Sequence, residues 1–324
     1  MRVESVAPSM VWGMTVLGLD LTRVGQVVVG RDREVELVAA SLAAARNVLL
    51  EGPPGTGKST LLRAVAAELN TGFVFVEGNA ELTPARLIGS HDPARVLSEG
   101  YSAETFVDGP LVQALRDGSL LYVEEINRVP EETLNVLVTV MSERELNVPR
   151  IGLVAAAPAF RIVAAMNPFD AVGTGRISAA IYDRTCRVAM DYQSAVDEGA
   201  IVSRAVTTAG GAEIEADRLA NTVQLVRDTR AHSEIRIGSS VRGAIDMELL
   251  TQQLAAIRGV GVGDTVASLD AATTALSGRI RIFEGSGRTP DEIIEELWIK
   301  AFTAKVKQSS SSDGGDESGK APAR

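Results

Sequence analysis

The sequence predicts an α/β protein in which a parallel five-stranded sheet is flanked by helices and followed by an all-helical domain. Two observations support this fold class. Between about residues 27 and 192, short apolar runs alternate with longer segments of helical periodicity, a pattern typical of a parallel sheet covered by helices on both faces. From residue 191 to about 307 the strand pattern is absent, and amphipathic helical periodicity takes its place.

Five short apolar segments are predicted to be the strands of the sheet. They span residues 47–51, 73–76, 120–124, 160–165 and 186–190. Their hydrophobicity is largely continuous, as expected of strands that are buried on both faces. The single cysteine, Cys186, begins the last segment, so we expect it to be an inert thiol in the core.

Helix boundaries in the first domain are indicated by residues that start or break helices. Apolar residues at helical spacing follow Lys58, and the helix they predict ends near Asn70. Pro130 is predicted at the first helical position, where proline loses no hydrogen bond. Two glutamates follow it, and negative charge is favourable at a helix N-terminus.

The second domain is predicted from helical windows at residues 216–230 and 240–257 and from a capping box. In the capping box, Thr289-Pro290-Asp291-Glu292 precedes a clear apolar stripe. Beyond it, a serine run followed by glycine and mixed charges has no large apolar residue to anchor it. We therefore expect an N-terminal extension over 1–22, an α/β domain over 23–192, a helical domain over 193–307 and a disordered tail over 308–324.

Composition argues against several classes of protein. Lys and Arg number 32 against 42 Asp and Glu, and the net charge of -10 disfavours a surface that follows phosphate backbones. Aromatic residues make up only 4%, which disfavours a row of base-stacking platforms. The single cysteine indicates a reducing compartment, and no apolar segment reaches the ~20 residues of a membrane span. We therefore expect a cytoplasmic protein, and nucleic acid is disfavoured as its partner.

A phosphate-binding motif lies between the first predicted strand and the helix after it. The motif G-x-x-x-x-G-K-[ST] is matched by consecutive residues, which are Gly52-Pro53-Pro54-Gly55-Thr56-Gly57-Lys58-Ser59. Glycines allow backbone N–H groups to turn toward a phosphate, a lysine reaches the β and γ oxygens, and the hydroxyl binds Mg²⁺. The alternative is a glycine turn that happens to end in Lys-Ser. We assign this loop, with the adjoining Thr60, to nucleotide binding.

A second chemical element follows the strand predicted over 120–124. The strand ends in Glu124, and Glu125 comes next. A P-loop ATPase needs one acid near the metal and one to polarise the attacking water. The alternative is a turn that caps a helix with acidic residues. Together with the phosphate-binding motif, the pair favours an ATPase.

Four motifs in this order resemble those of the AAA+ superfamily, and within it the MoxR-type and dynein-related ATPases of the helix-2-insert branch. They are 52–59, Glu124-Glu125-Ile126-Asn127-Arg128, Ala165-Met166-Asn167-Pro168 and Tyr182-Asp183-Arg184. The resemblance spans about residues 27–304. It implies a P-loop AAA+ core followed by a helical lid.

The resemblance implies a role for each residue that matches a family motif. Lys58 and Ser59 are the Walker A pair, Glu124 is the metal-side acid and Glu125 is the general base. Asn167 is the sensor 1 residue near the γ-phosphate. The usual metal-side residue of the family is Asp, so the extra methylene of Glu124 is expected to shift the water shell of Mg²⁺ or to need compensation nearby.

Further roles are implied for residues outside these motif centres. Arg184 is the arginine finger that reaches a neighbour's nucleotide, with Arg176 as the reserve candidate; the alternative for Arg184 is a structural cation. Arg242 is the sensor 2 arginine of the lid, or else an ordinary arginine at the start of a packed helix. The stretch Val29-Gly30-Arg31 lies on the adenine side. Residues 83–106 are either an insertion that faces a pore or substrate, or a long surface loop.

The function that the resemblance implies is ATP hydrolysis with Mg²⁺ in a ring homo-oligomer, expected to be a hexamer. Such a chaperone-like motor remodels or matures a partner protein or complex, often with a von Willebrand A domain protein. No D-x-S-x-S pattern occurs in this sequence, so that domain is expected on another polypeptide. The alternatives are a motor subunit of a metal chelatase, a DNA-acting motor, and a nucleotide-dependent switch with little hydrolysis.

Overall fold

The computed structural model describes residues 15–16, 19–168 and 177–303. The chain divides into two compact units, the first ending at Tyr192 and the second beginning at Gln193. Most of the predicted N-terminal extension, the whole predicted tail and Arg176 lie outside the described residues.

The first unit alternates strands and helices. Its strands are β1 (Thr15–Val16), β2 (Leu19–Asp20), β3 (Asn47–Glu51), β4 (Phe73–Glu77), β5 (Gly89–His91), β6 (Phe106–Asp108), β7 (Leu120–Glu124), β8 (Glu145–Val148), β9 (Gly152–Ala155), β10 (Arg161–Met166) and β11 (Thr185–Ala189). Its helices are α1 (Leu21–Val27), α2 (Asp32–Ala43), α3 (Lys58–Glu68), α4 (Pro84–Ile88), α5 (Pro93–Glu99), α6 (Pro110–Asp117), α7 (Glu131–Glu143) and α8 (Ala179–Asp183).

The central sheet has five strands in the order β11-β3-β10-β7-β4. Every neighbouring pair is parallel. The five predicted strands are therefore confirmed, each bound within one residue of its prediction. The inner strands β3, β7 and β10 are almost wholly buried, because helices cover both faces.

The edge strand β11 departs from the prediction for Cys186. This residue is exposed, and the strand buries only Val188 fully. The expectation of a core thiol was wrong because a strand at the edge of a sheet has only one neighbour. Apolar content alone does not tell an edge strand from a central one.

The helix ends agree with the predictions, except that the start of α7 is shifted by one residue. Helix α3 ends at Glu68, and Asn70 adopts a left-handed conformation with φ 49°, which agrees with the predicted end. Pro130 lies one position before α7 and not at its first residue, because its ψ of 147° is extended. Its nitrogen has no hydrogen to donate, so no helical bond is lost in either place.

The α/β unit also contains two antiparallel hairpins. One pairs β5 with β6 and carries α5 between its strands, so the stretch 83–106 is built from short regular elements. The other pairs β8 with β9. The guanidinium of Arg150, in the turn of the second hairpin, lies 3.8 Å from the ring centre of Tyr101 in the first. This cation–π contact joins the two hairpins.

The second unit is helical, as predicted, with one short ribbon. Its helices are α9 (Ala195–Thr208), α10 (Ala216–Ala231), α11 (Val241–Arg258), α12 (Thr265–Leu276) and α13 (Pro290–Thr303), and its strands are β12 (Ile235–Ile237) and β13 (Arg281–Ile282). The ribbon of β12 and β13 is antiparallel and was not predicted, since strands of two or three residues are too short to show alternation. The capping box is confirmed: the Thr289 amide donates to Glu292 Oε2 at 2.7 Å, and the Glu292 amide donates to Thr289 Oγ1 at 3.3 Å.

Among the described residues, none of the helices combines the length and apolar character needed to cross a membrane.

Candidate functional site

The phosphate-binding motif forms the loop between β3 and α3, at the carboxyl edge of the parallel sheet. Gly55 and Gly57 have φ values of 75° and 84°, which favour glycine over residues with a Cβ. Gly52 is required for space, because a Cβ there would lie 2.2 Å from the carbonyl oxygen of Met190. The loop therefore has the cradle shape that brings backbone N–H groups close to a phosphate.

Lys58 crosses this loop from the first turn of α3. Its Nζ donates to the carbonyl oxygens of Gly52 and Pro53, both at 2.8 Å. The side chain is 9% exposed. The hydroxyl of Thr56 also donates to the Pro53 carbonyl, at 3.0 Å. An ammonium group and a helix N-terminus thus converge on one short bend, where anionic oxygens are stabilised.

Ser59 connects the loop to β7. Its Oγ donates to Glu124 Oε1 at 2.8 Å and lies 3.2 Å from the hydroxyl of Tyr122. The longer side chain of Glu124 therefore still reaches the hydroxyl that the motif assigns to Mg²⁺. Burial raises the pKa of the Tyr122 hydroxyl, so this group keeps its proton and can donate it.

The oxygens at this edge fit a magnesium ion. Carboxylate and hydroxyl oxygens are hard ligands, and Mg²⁺ keeps most of its shell for water and phosphate oxygens. No group of three or more His, Cys, Asp or Glu side chains that could hold a metal occurs in the described part of the chain. Ser59 and Glu124 would therefore hold the ion together with a nucleotide.

Glu125 directly follows the strand and has a strained backbone. Its φ of 53° and ψ of 42° are left-handed, which is uncommon outside glycine. Arg128 Nε lies 3.2 Å from Glu125 Oε2, but this contact lacks hydrogen-bond geometry. The buried Oε2 accepts no hydrogen bond from any described residue. Because Oε2 accepts no such bond, it is suited to accept a proton from a water molecule.

The neighbouring strands bring further polar groups to the same edge. The Asn127 side chain is buried, and its Nδ2 donates to the carbonyl of Asn167 at 3.5 Å. Asn167 follows β10, the strand between β3 and β7. The predicted sensor residue and the acidic pair therefore lie at adjacent strand ends.

Arg31 joins the predicted adenine-side segment to the loop. Val29 and Gly30 lie in the turn between α1 and α2, and Arg31 is 3% exposed. Its Nη2 donates to the carbonyl of Thr56 at 3.0 Å and to the carbonyl of Asp191, while Nη1 pairs with Glu34 at 3.0 Å. One buried guanidinium thus ties the phosphate-binding loop to the last residues of the first unit.

Replacing Arg31 with methionine is expected to lower the free energy of unfolding by about 3 kcal/mol. The change leaves two carbonyls and the Glu34 carboxylate without their donor, and breaking a buried pair costs this much. Urea unfolding followed by circular dichroism measures the loss. Arg33→Met, an exposed arginine in the first turn of α2, is the matched control and should change stability by less than about 0.5 kcal/mol. Equal stability of the two variants would contradict this role for Arg31.

The predicted finger arginine lies away from this edge, and the predicted lid arginine belongs to the second unit. Arg242 is exposed at the second residue of α11 in the second unit. Arg184 follows α8 at the amino edge of the sheet, where its Nε donates to Ser142 Oγ at 2.6 Å and its Nη1 to the Ala180 carbonyl at 3.0 Å. It lines a cavity of about 510 Å³ with Arg46 and Arg144.

Sequence reasoning missed several residues that shape the site. The sequence predicts Tyr122 only as part of an apolar strand and Arg31 only as part of the adenine-side segment. Gly78, after β4, has no predicted role. A Cβ there would lie 2.5 Å from the Glu125 carbonyl and 2.7 Å from that of Glu124. A hydroxyl within an otherwise aliphatic strand, and a glycine directly after one, were the available signals.

One protein-family model matches part of the first unit. Residues 47–185 match the model described as AAA domain (dynein-related subfamily). This part of the chain is therefore similar to AAA domains of that subfamily.

Among curated proteins, the chain is similar to uncharacterized proteins of two staphylococci. The relative from Staphylococcus haemolyticus is 35% identical over 149 residues, which cover 45% of this chain and 56% of that protein. The relative from Staphylococcus epidermidis is 34% identical with the same coverage. The chain therefore spans about half the length of the curated relatives it matches.

Among solved structures, the chain resembles RuvB from Thermotoga maritima. A variant of that protein has a TM-score of 0.53 and 19% identity, covering 76% of this chain and 70% of that one. A second RuvB structure, described as a Holliday junction branch migration motor, has a TM-score of 0.51 and 18% identity over the same shares. This likeness concerns the fold, a parallel five-stranded core followed by a helical region.

Proposed function

We propose that this protein is an ATPase of the MoxR type, which uses Mg²⁺ and ATP hydrolysis in a ring to remodel or mature a partner protein or complex in the cytoplasm. The observation that carries the proposal is the bond from Ser59 to Glu124, at 2.8 Å, beside the glycine cradle. It joins the two motifs that are far apart in sequence into one site for a nucleotide and its metal.

Each residue at the carboxyl edge has a task in this proposal. The loop amides and Lys58 would bind the phosphates, and Ser59 with Glu124 would hold Mg²⁺, which supplies positive charge to neutralise the phosphates. Glu125 orients the attacking water and accepts its proton through Oε2. Asn167 lies at the adjacent strand end, where a polar side chain can hold the water or the γ-phosphate.

The position of Arg184 supports assembly into a ring. It lies at the start of β11, whereas the loop follows the end of β3, the strand with which β11 pairs. A five-residue strand is about 16 Å long. An arginine side chain cannot span that distance to the loop of its own chain, so Arg184 can serve only the nucleotide of another protomer. We propose a ring, expected to be a hexamer, in which Arg242 of the lid also reaches the nucleotide.

The client and the partner protein are proposed from the family resemblance alone. A von Willebrand A domain protein is the partner we propose, with a protein complex as client. The fold similarity to RuvB does not move the proposal toward DNA, because the net charge of -10 disfavours contact with a phosphate backbone. A chelatase motor would share this site and would differ in needing a tetrapyrrole and partner subunits.

The test is whether the purified protein binds and hydrolyses ATP. We expect Mg²⁺-dependent phosphate release from the full chain, and no release from the Lys58→Ala variant. Nucleotide binding without any hydrolysis in the presence or absence of a partner would favour a binding switch. No retention of adenine nucleotide with Mg²⁺ would overturn the proposal.

A further inference from the structure

Tyr122 is the polar member of an otherwise apolar strand. It is the third residue of β7 and is fully buried. Its ring lies 5.8 Å from that of Phe73 and 5.7 Å from that of Phe75. The guanidinium of Arg63, on α3, lies over both phenylalanine rings. The Tyr122 ring is therefore packed against two aromatic rings, which limits the directions that its hydroxyl can take.

One of the directions open to the Tyr122 hydroxyl leads to Ser59. The hydroxyl oxygens of Tyr122 and Ser59 are 3.2 Å apart. Ser59 has a single hydroxyl proton, and it donates this proton to Glu124 Oε1 at 2.8 Å. Tyr122 must then be the donor of the second bond. It donates to one of the two lone pairs of Ser59 Oγ.

The remaining lone pair of Ser59 has a defined orientation. With its proton held by Glu124 and one lone pair held by Tyr122, the hydroxyl cannot rotate. The lone pair left over is the one that can ligate a cation beside the loop. Glu124 alone would hold it less firmly, because its side chain has one more rotatable bond than the aspartate usual at this place.

We propose that Tyr122 is a positioning residue for Mg²⁺, which sets the orientation of the Ser59 hydroxyl and so raises the affinity of the nucleotide-bound protein for the metal. This inference rests on the proposed function, since it assumes that Ser59 ligates Mg²⁺ with a nucleotide. Tyr122 is not itself proposed as a ligand of the metal. It acts through Ser59 and offsets the greater freedom of Glu124.

The experiment is an equilibrium titration with Tyr122→Phe, which removes the hydroxyl and keeps the ring. A fluorescent ADP analogue is bound first in EDTA, and Mg²⁺ is then added in steps. We expect the affinity in EDTA to stay within about twofold, and the Mg²⁺ concentration at half effect to rise about 3- to 10-fold, the range for one lost hydrogen bond. Tyr101→Phe removes a hydroxyl from a hairpin outside the site and should leave both values unchanged.

A double-mutant cycle separates positioning from a general loss of structure. In a Ser59→Ala background, Tyr122→Phe should have no further effect on the Mg²⁺ titration, because the group that Tyr122 orients is gone. An unchanged Mg²⁺ titration in Tyr122→Phe alone, or an equal loss of affinity with and without Mg²⁺, would overturn this inference while leaving the proposed function intact. If the wild-type protein shows no Mg²⁺-dependent binding, the proposed function itself fails.

Discussion

Replacing Glu125 with glutamine should lower ATP turnover by about 10²- to 10⁴-fold while nucleotide affinity stays near that of the wild type. A positioned general base contributes this much to a rate. Glutamine keeps the size and the polar end of the side chain but cannot take a proton. Binding depends on the loop and on Lys58, whose Nζ donates to the carbonyl oxygens of Gly52 and Pro53.

The measurement compares steady-state phosphate release with the affinity for ATP on the same preparation. Glu132→Gln is the matched control, since this glutamate is exposed at the start of α7 and should turn over ATP at the wild-type rate. Turnover by Glu125→Gln equal to that of the wild type would remove Glu125 as the base. The Glu125→Gln variant can then also be used to capture the proposed partner, because a protein that binds ATP without cleaving it stays in the ATP-bound state and keeps the partner that this state binds.

The left-handed backbone conformation of Glu125 explains why the residues packed around it are tightly restricted. A left-handed conformation in a residue with a side chain costs of order 1 kcal/mol or more, and such strain persists only where the surroundings impose it. Gly78 supplies part of that restraint, as its amide donates to the Glu124 carbonyl at 2.7 Å and its position has no room for a Cβ.

The sheet and the loop could be predicted because local sequence determines both. An apolar run of five residues has few alternatives to a buried strand, and the spacing of glycines and Lys58 in the loop reflects backbone conformations that other residues avoid. The capping box of α13 is local in the same way, since Thr289 and Glu292 satisfy each other's amides.

The features that escaped prediction depend on residues distant in sequence. The exposure of Cys186 follows from the strand order, which places β11 at an edge. The bond between Tyr122 and Ser59 joins residues 63 positions apart. The buried Arg31 contacts the Asp191 carbonyl 160 positions away. Periodicity and spacing carry no information on such pairs, because they report on neighbours along one element and not on which elements meet.

Replacing Arg184 with alanine should lower ATP turnover by about 10³- to 10⁵-fold without loss of nucleotide binding, the effect of removing an arginine finger. Arg184 lies at the amino edge of the sheet, on the far side from the loop of its own chain. We therefore propose that it acts on the nucleotide of a neighbouring protomer. Arg46→Ala, an exposed arginine in the same cavity, is the matched control and should keep the wild-type rate. Full activity of Arg184→Ala would leave this residue a structural cation bound to Ser142.

Mixing subunits distinguishes an arginine that acts on a neighbour from one that only supports its own fold. Arg184→Ala protomers keep Glu125, and Glu125→Gln protomers keep Arg184, so each supplies what the other lacks where they meet in the right order. A random equal mixture in a head-to-tail ring should regain about a quarter of the wild-type rate. Glu125→Gln mixed with Lys58→Ala should regain nothing, because both changes damage the same side of the interface. Recovery in neither mixture would show that Arg184 does not complete a neighbour's site. Recovery in both mixtures would place Lys58 and Glu125 on different sides of the interface. That result would contradict the structure, in which β3, before Lys58, and β7, before Glu125, both pair with β10 and end at the same edge of the sheet.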